Sequence, residues 1–148
     1  MIIGVPKELF PGERRVALVP ESWKMLIKAG FTVCVELGAG VSAGYTDETY
    51  RESGANVESS AEDLVRSADI LLTVNAPQSD PDNTRDVTAW IQDGAHVLGS
   101  LMPLRNLHDM ESLARSGAIA FSTDAIPRTT RAQSMDTLSS MNSIGGYK

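Results

Sequence analysis

Short β-branched apolar runs alternate along the chain with longer stretches of helical period, and glycines mark the joins. Runs at Ile2–Val5, Thr32–Glu36, Ile70–Val74, Ala95–Gly99 and Ile119–Ser122 are too short for helices and read as strands. Between them, Glu21–Ala29 carries Trp23, Leu26 and Ile27 on one helical face and stops at Gly30, a residue suited to the left-handed turn after a helix. Asp47–Ser53 ends the same way at Gly54. Ala61–Ser67, Thr84–Gln92 and Leu107–Ser116 continue the alternation, the last closed by Gly117. A rhythm of helix, glycine and short strand is what crossover connections between parallel strands require. The predicted fold class is therefore α/β, with helices layered on both faces of a mainly parallel sheet.

The 148 residues, 42% hydrophobic and 22% charged, suit one globular domain with a sizeable core. A net charge of −6, with no basic run longer than Arg14-Arg15, speaks against a nucleic-acid partner. The longest apolar stretches fall well short of the roughly 18 residues that span a bilayer. Met1-Ile2-Ile3-Gly4-Val5-Pro6 has neither a basic leader nor a cleavage site behind it, so no export signal is read. The single cysteine, Cys34, sits in an apolar run; it can form no internal disulfide, fits a reducing cytoplasm and reads as a small core residue. Pro77 to Asn83 is polar with two prolines and reads as a surface loop. From Thr123 to Lys148 the composition shifts toward Ser and Thr, and a helix expected from near Arg131 would still be running as the sequence stops.

Three groups of residues could carry chemistry. Pro11-Gly-Glu-Arg-Arg-Val-Ala17 puts two arginines in a turn after the first strand, where a planar guanidinium could receive a carboxylate or phosphate; a plain ion pair of Arg14 or Arg15 with Glu8 or Glu13 competes with that reading. Gly38-Ala-Gly40-Val-Ser-Ala43-Gly44 matches the dinucleotide pattern G-x-G-x-x-A. Its helix starts late, at Thr46 or Asp47, and so cannot aim its first amides at a pyrophosphate; the run reads as a turn. In Pro127 through Ser140, Thr130 and Gln133 form a capping-box pattern, and Asp136 and Ser139 fall on one face of the helix that follows. Arg128, Gln133, Asp136 and Ser139 could then converge on a polar planar group, with a solvated helix start as the alternative. His96 and His108 have no ligand partner at metal spacing, and no nucleophile–base pair is evident.

Gly4-Val-Pro-Lys-Glu8, Pro11-Gly-Glu-Arg-Arg-Val-Ala17, Gly38-Ala-Gly40 and Tyr45-Thr-Asp47 together resemble the N-terminal signature of the alanine dehydrogenase and nicotinamide nucleotide transhydrogenase family. The resemblance covers essentially the whole chain, with Val19 as a minor departure where the family has Ser or Thr. Two positions separate the branches. Alanine dehydrogenases resemble this chain but carry a lysine where Asn75 stands and a catalytic histidine where Met102 stands. Without that cation and that imidazole, amino-acid oxidation lacks its machinery. Val74-Asn-Ala-Pro77 and Pro127-Arg128 through Arg131-Ala-Gln-Ser-Met-Asp136 to Leu138-Ser-Ser140 resemble the transhydrogenase branch.

That resemblance implies a Rossmann-like (flavodoxin-like) three-layer domain over residues 1–126, and over 127–148 a loop folding over a nicotinamide and leading to a second, NAD-binding Rossmann lobe that the chain lacks. It implies that Arg128, Asp136 and Ser139 bond the carboxamide or ribose region of NAD(H), and that Gln133 helps bring in NADP(H) held by a partner component. On the same resemblance, Gln133 and Asp136 are implied to be the residues closest to catalysis. The implied reaction is direct hydride transfer from NADH to NADP+, which needs positioning and exclusion of water rather than an acid or base. Implied partners are the NADP(H)-binding and membrane subunits, and a second copy in a homodimer of the complete component, which would place the chain on the cytoplasmic side, peripheral to the membrane. A truncated, non-catalytic relict or binding module of the same fold is the alternative, and alanine dehydrogenase a weaker one.

Overall fold

In the computed structural model, residues 1–77 and 85–146 are described. They build one parallel sheet from β1 (Ile2–Val5), β2 (Thr32–Glu36), β3 (Asn56–Glu58), β4 (Ile70–Asn75), β5 (His96–Ser100) and β6 (Ile119–Ser122). The order across the sheet is 3-2-1-4-5-6 and every pairing is parallel. Among the doubly wound orders this is the Rossmann one, with the winding reversing between β1 and β4. The helices are α1 (Pro20–Lys28), α2 (Asp47–Glu52), α3 (Ala61–Ser67), α4 (Val87–Trp90), α5 (Leu107–Arg115) and α6 (Thr137–Gly145).

The five expected strands are present to within one residue at their ends. The sixth, β3, was not expected: Val57 is its one apolar residue, and it exists by pairing with β2 through Cys34↔Asn56, Val35↔Val57 and Glu36↔Glu58. The helix expected over 84–92 is a single turn, α4. Asp86 caps it by accepting from Ala89 N at 3.2 Å, and Ile91 already returns to extended backbone. Thr84 and the expected loop over 78–83 lie outside the described residues. The helix expected from near Arg131 is corrected too. Residues Thr130–Met135 form a 3-10 segment, the Thr130 hydroxyl caps nothing, and the α-helix starts at Thr137 with Asp136 as its cap. Cys34, expected in the core, is half-buried.

Alternation along the strands sends side chains to two cores on opposite faces. On one face, Ile3 and Val5 of β1 and Val33 and Val35 of β2 pack against Trp23 of α1 and Tyr50 of α2, whose rings sit 4.7 Å apart. On the other, Leu71 of β4 and Val97 of β5 pack against Leu64 and Val65 of α3, Val87 of α4 and Leu113 of α5. Gly4 on β1 lets α3 approach: a Cβ there would stand 2.9 Å from the Ala68 Cβ.

Candidate functional site at the carboxyl ends of the strands

In doubly wound sheets ligands gather beyond the carboxyl ends of the strands, where the winding reverses. Here that point lies between β1 and β4, and both strands run out into polar loops. Glu8, just past β1, turns its carboxylate onto the end of β4, accepting from Val74 N at 2.6 Å, Asn75 N at 3.2 Å and Asn75 Nδ2 at 3.1 Å. Asn75 Nδ2 also donates to Glu13 at 3.0 Å, so one neutral amide bridges two carboxylates. Burial pushes the Glu8 carboxyl above its ordinary range, against the pull of its backbone and amide donors.

Glu13 is held down to about 2, chiefly by the hydrogen bonds of Arg15. Arg15 donates to it from N, Nε and Nη2 at 2.9, 2.7 and 2.6 Å. The remaining guanidinium nitrogen, Nη1, lies 3.8 Å from Met141 Sδ, which brings α6 over this corner. The ion-pair reading thus holds for Arg15, whose planar fork is already engaged by its neighbour. The cavity between these loops, lined by Lys7, Glu8, Thr73, Asn75 and Val87 among others, measures about 20 Å³. That admits a water and excludes a nicotinamide ring.

Among the described residues, this lobe holds no dinucleotide cradle. The loop from β1 to α1 carries a single glycine, Gly12, and α1 opens with Pro20. Glu36, buried at the end of β2, is the acidic group a ribose could have used. Its carboxylate instead receives Lys7 N at 2.7 Å and both terminal nitrogens of Arg85 at 2.5 Å. The glycine-rich run after β2 is a turn. Gly38 has φ +76° and donates to Asp47 at 2.8 Å, residues 41–43 form a short 3-10 helix, and α2 begins only at Asp47, capped by Thr46.

A second polar knot at the ends of β5 and β6 was not legible in the sequence. Asp124 accepts from Ser122 Oγ at 2.5 Å, Ser100 Oγ at 3.4 Å and Met102 N at 3.2 Å. Burial pushes its carboxyl up more than any one donor pulls it down, but the hydrogen bonds together outweigh burial and hold it below the ordinary range. Met102 has φ +46°, a left-handed conformation unusual for a residue with a side chain. Its carbonyl accepts from Arg105 and Asn106, so the strained residue is anchored on both sides.

Beyond β6 the chain carries the four residues singled out from sequence. Asp136 and Ser139 are brought together: Ser139 donates from N at 2.9 Å and from Oγ at 2.6 Å to the two carboxylate oxygens. Asp136 thereby caps α6, and the cap fixes its side-chain direction. Gln133 is exposed on the 3-10 segment, its carbonyl accepting from Asp136 N at 3.3 Å. Arg128 is exposed ahead of that segment. Pairing is therefore observed for two of the four, and the other two face solvent on the same stretch.

A family model described as alanine dehydrogenase/PNT, N-terminal domain, matches residues 4–145. An NAD(P) transhydrogenase alpha-subunit polypeptide of Rhodospirillum rubrum is 40% identical over all 148 residues, which correspond to 38% of its own length. Among solved structures, a transhydrogenase from Sinorhizobium meliloti superposes with a TM-score of 0.88 at 36% identity, over 99% of this chain and 42% of that one. An L-alanine dehydrogenase superposes at 0.75 with 34% identity, over 84% of this chain and 32% of its own. The chain thus spans about two-fifths of the length of these transhydrogenase relatives.

Proposed function

The chain belongs to the alanine dehydrogenase/PNT N-terminal domain family, and from that premise we propose that it is part of the NAD(H)-binding component of a proton-translocating NAD(P)+ transhydrogenase. Asn75 is the observation that carries this reading over alanine oxidation. It presents a neutral amide, satisfied by Glu8 and Glu13, where the dehydrogenase branch has a lysine. Met102 supports the same choice, since a thioether cannot relay a proton.

The residues fit the nicotinamide end of NAD(H) and not its diphosphate. Exposed Arg128 and Gln133, together with the oriented Asp136–Ser139 pair, offer the donors and acceptors that a carboxamide and ribose require. The glycine cradle for phosphates is absent from the β1–α1 loop, so residues 1–126 act as the body and residues 127–148 as the nicotinamide-side loop of a larger site. NADH supplies the hydride and NADP+ on a partner component receives it. The role of this chain is to hold one ring in place: Asp136 accepts from the carboxamide, Ser139 and Arg128 orient carboxamide and ribose, and Gln133 helps seat the acceptor nucleotide. No proton changes hands at the reacting carbons, which accords with the lack of a histidine in the loop. Coupling to proton movement falls to membrane subunits, with this component docked at the membrane surface and paired with a second copy.

Asp136→Asn in the assembled transhydrogenase tests the assignment. Asparagine caps a helix as well as aspartate does, so the melting temperature should hold. Loss of one charged hydrogen bond should slow hydride transfer about 10- to 100-fold. A lowered melting temperature with unchanged turnover would refute the role, and alanine-dependent NAD+ reduction by the wild-type assembly would revive the dehydrogenase reading.

A further inference from the structure

One carboxylate ties the ends of β5 and β6 together. Asp124 lies two residues past β6, in the short 3-10 turn Thr123–Ala125. A single oxygen, Oδ1, accepts from Ser122 Oγ of β6 at 2.5 Å, and from Ser100 Oγ and Met102 N at the end of β5 at 3.4 and 3.2 Å. Ser122 Oγ in turn accepts from Leu101 N at 3.2 Å, so consecutive amides leaving β5 are bound to the turn after β6. From the other side Asn106 Nδ2 donates to Leu101 O at 3.1 Å. A residue with a side chain keeps a positive φ only where its surroundings over-determine it, and Asp124 is what holds the amide of Met102.

The loop read as the nicotinamide side begins and ends at this turn. Arg128 follows Asp124 by four residues, and beyond the 3-10 segment Thr130–Met135 the helix α6 returns to lie against Thr123–Ala125. Between departure and return, the backbone bonds among the described residues are short-range. Ile126 N donates to Thr123 O at 3.4 Å, Thr129 N to Pro127 O at 2.9 Å, Ala132 N to Thr129 O at 3.0 Å and Asp136 N to Gln133 O at 3.3 Å. Such bonds give a loop with adjacent ends its shape but do not fix it to the sheet. Its placement is set at its base, and the base is held by Asp124.

We propose that Asp124 is a positioning residue for hydride transfer: by joining the ends of β5 and β6 it sets the base of the loop, and so the place where Arg128, Asp136 and Ser139 meet the nicotinamide. It acts through those residues and not on the reacting carbons. The inference rests on the assignment of that loop to the nicotinamide. A displacement of about 1 Å can cost a reaction about 100-fold, so a loop loosened at its base loses rate before it loses shape.

Hydride transfer is followed in single turnovers of the NADH-saturated, assembled transhydrogenase, per NADH bound, with NADH affinity read by nucleotide fluorescence. Asp124→Ala removes the shared acceptor and should slow transfer about tenfold. The Kd for NADH should change less than about twofold, because this lobe offers the diphosphate no seat. Asp124→Asn keeps an acceptor oxygen and should recover at least about half of the parental rate. Ser122→Ala cuts the shortest bond and leaves the carboxylate in place; it should slow transfer about threefold, and it decides the matter if Asp124→Ala does not fold. A parental rate per bound NADH in the deciding variant would overturn the proposal. So would a loss of activity that only tracks a loss of NADH-binding sites, or an Asp124→Asn no faster than the alanine variant. Asp136→Asn in the same assay separates the two readings. Slow transfer there beside a parental rate in Asp124→Ala sinks this inference and leaves the loop's assignment standing, whereas parental rates in both sink the assignment with it.

Discussion

Glu8 and Glu13 share the single amide of Asn75, yet their titrations move in opposite directions. Glu13 sits at about 2 against an ordinary 4.5, so folding favours its ionised form. That stability is present above pH 4.5 and is lost as the pH falls from there toward 2. Glu8 is raised by burial, so its contribution has the other sign, strongest in acid and lost as the pH climbs through its folded value. Thermal melts across the acid range should therefore show Glu13→Gln flattening the decline between pH 4.5 and 2. An unchanged decline in that variant would show that the Arg15 pair does not govern it. At this scale the sequence was informative where a residue type itself carries the message, as with Asn75 and Met102. It was silent where partners are distant: Glu8 reaches Val74 across 66 positions, and Met102 reaches Asp124 across 22. No local pattern announces either bond.

Elements were legible where period and punctuation agree. The helices closed by Gly30, Gly54 and Gly117 appear as expected, each glycine taking the positive φ that its turn demands. The reading failed where two caps competed. Thr130 with Gln133 has the spacing of a capping box, but Asp136, six residues on, bonds both the amide and the hydroxyl of Ser139 and so starts the helix instead. A charged acceptor with two donors outweighs a hydroxyl with none. The turn over 38–44 owes its shape to packing as well as to φ. A Cβ on Gly40 would stand 2.5 Å from the ring of buried Tyr50. Gly40→Ala should destabilise the protein by about 1–3 kcal/mol, as overpacking of a tight core does. Denaturant titration checks this, and a midpoint within error of the parent would mean that α2 moves freely away from the turn.

Across the whole molecule, the alternation of strands and helices was enough to read a parallel α/β sheet, because each crossover leaves a local signature in the chain. Strand order and the covering of faces were not readable, since they depend on which residues meet across long separations, as Ile2 and Thr32 do. The order 3-2-1-4-5-6 looks like a complete dinucleotide fold, yet the two features that bind the cofactor's phosphates and ribose are missing or spent. The β1–α1 loop has one glycine, and Glu36 is locked to Arg85. What the lobe offers is a scaffold that presents Asp136 and its neighbours at the carboxyl edge of the sheet. Titration of the purified chain with NADH, read by nucleotide fluorescence, tests this account most directly. It predicts no saturable binding at micromolar nucleotide by the chain alone, and saturable binding once the remaining polypeptide is supplied. Tight saturable binding by these 148 residues alone would contradict it, because the diphosphate would then have a seat on this lobe.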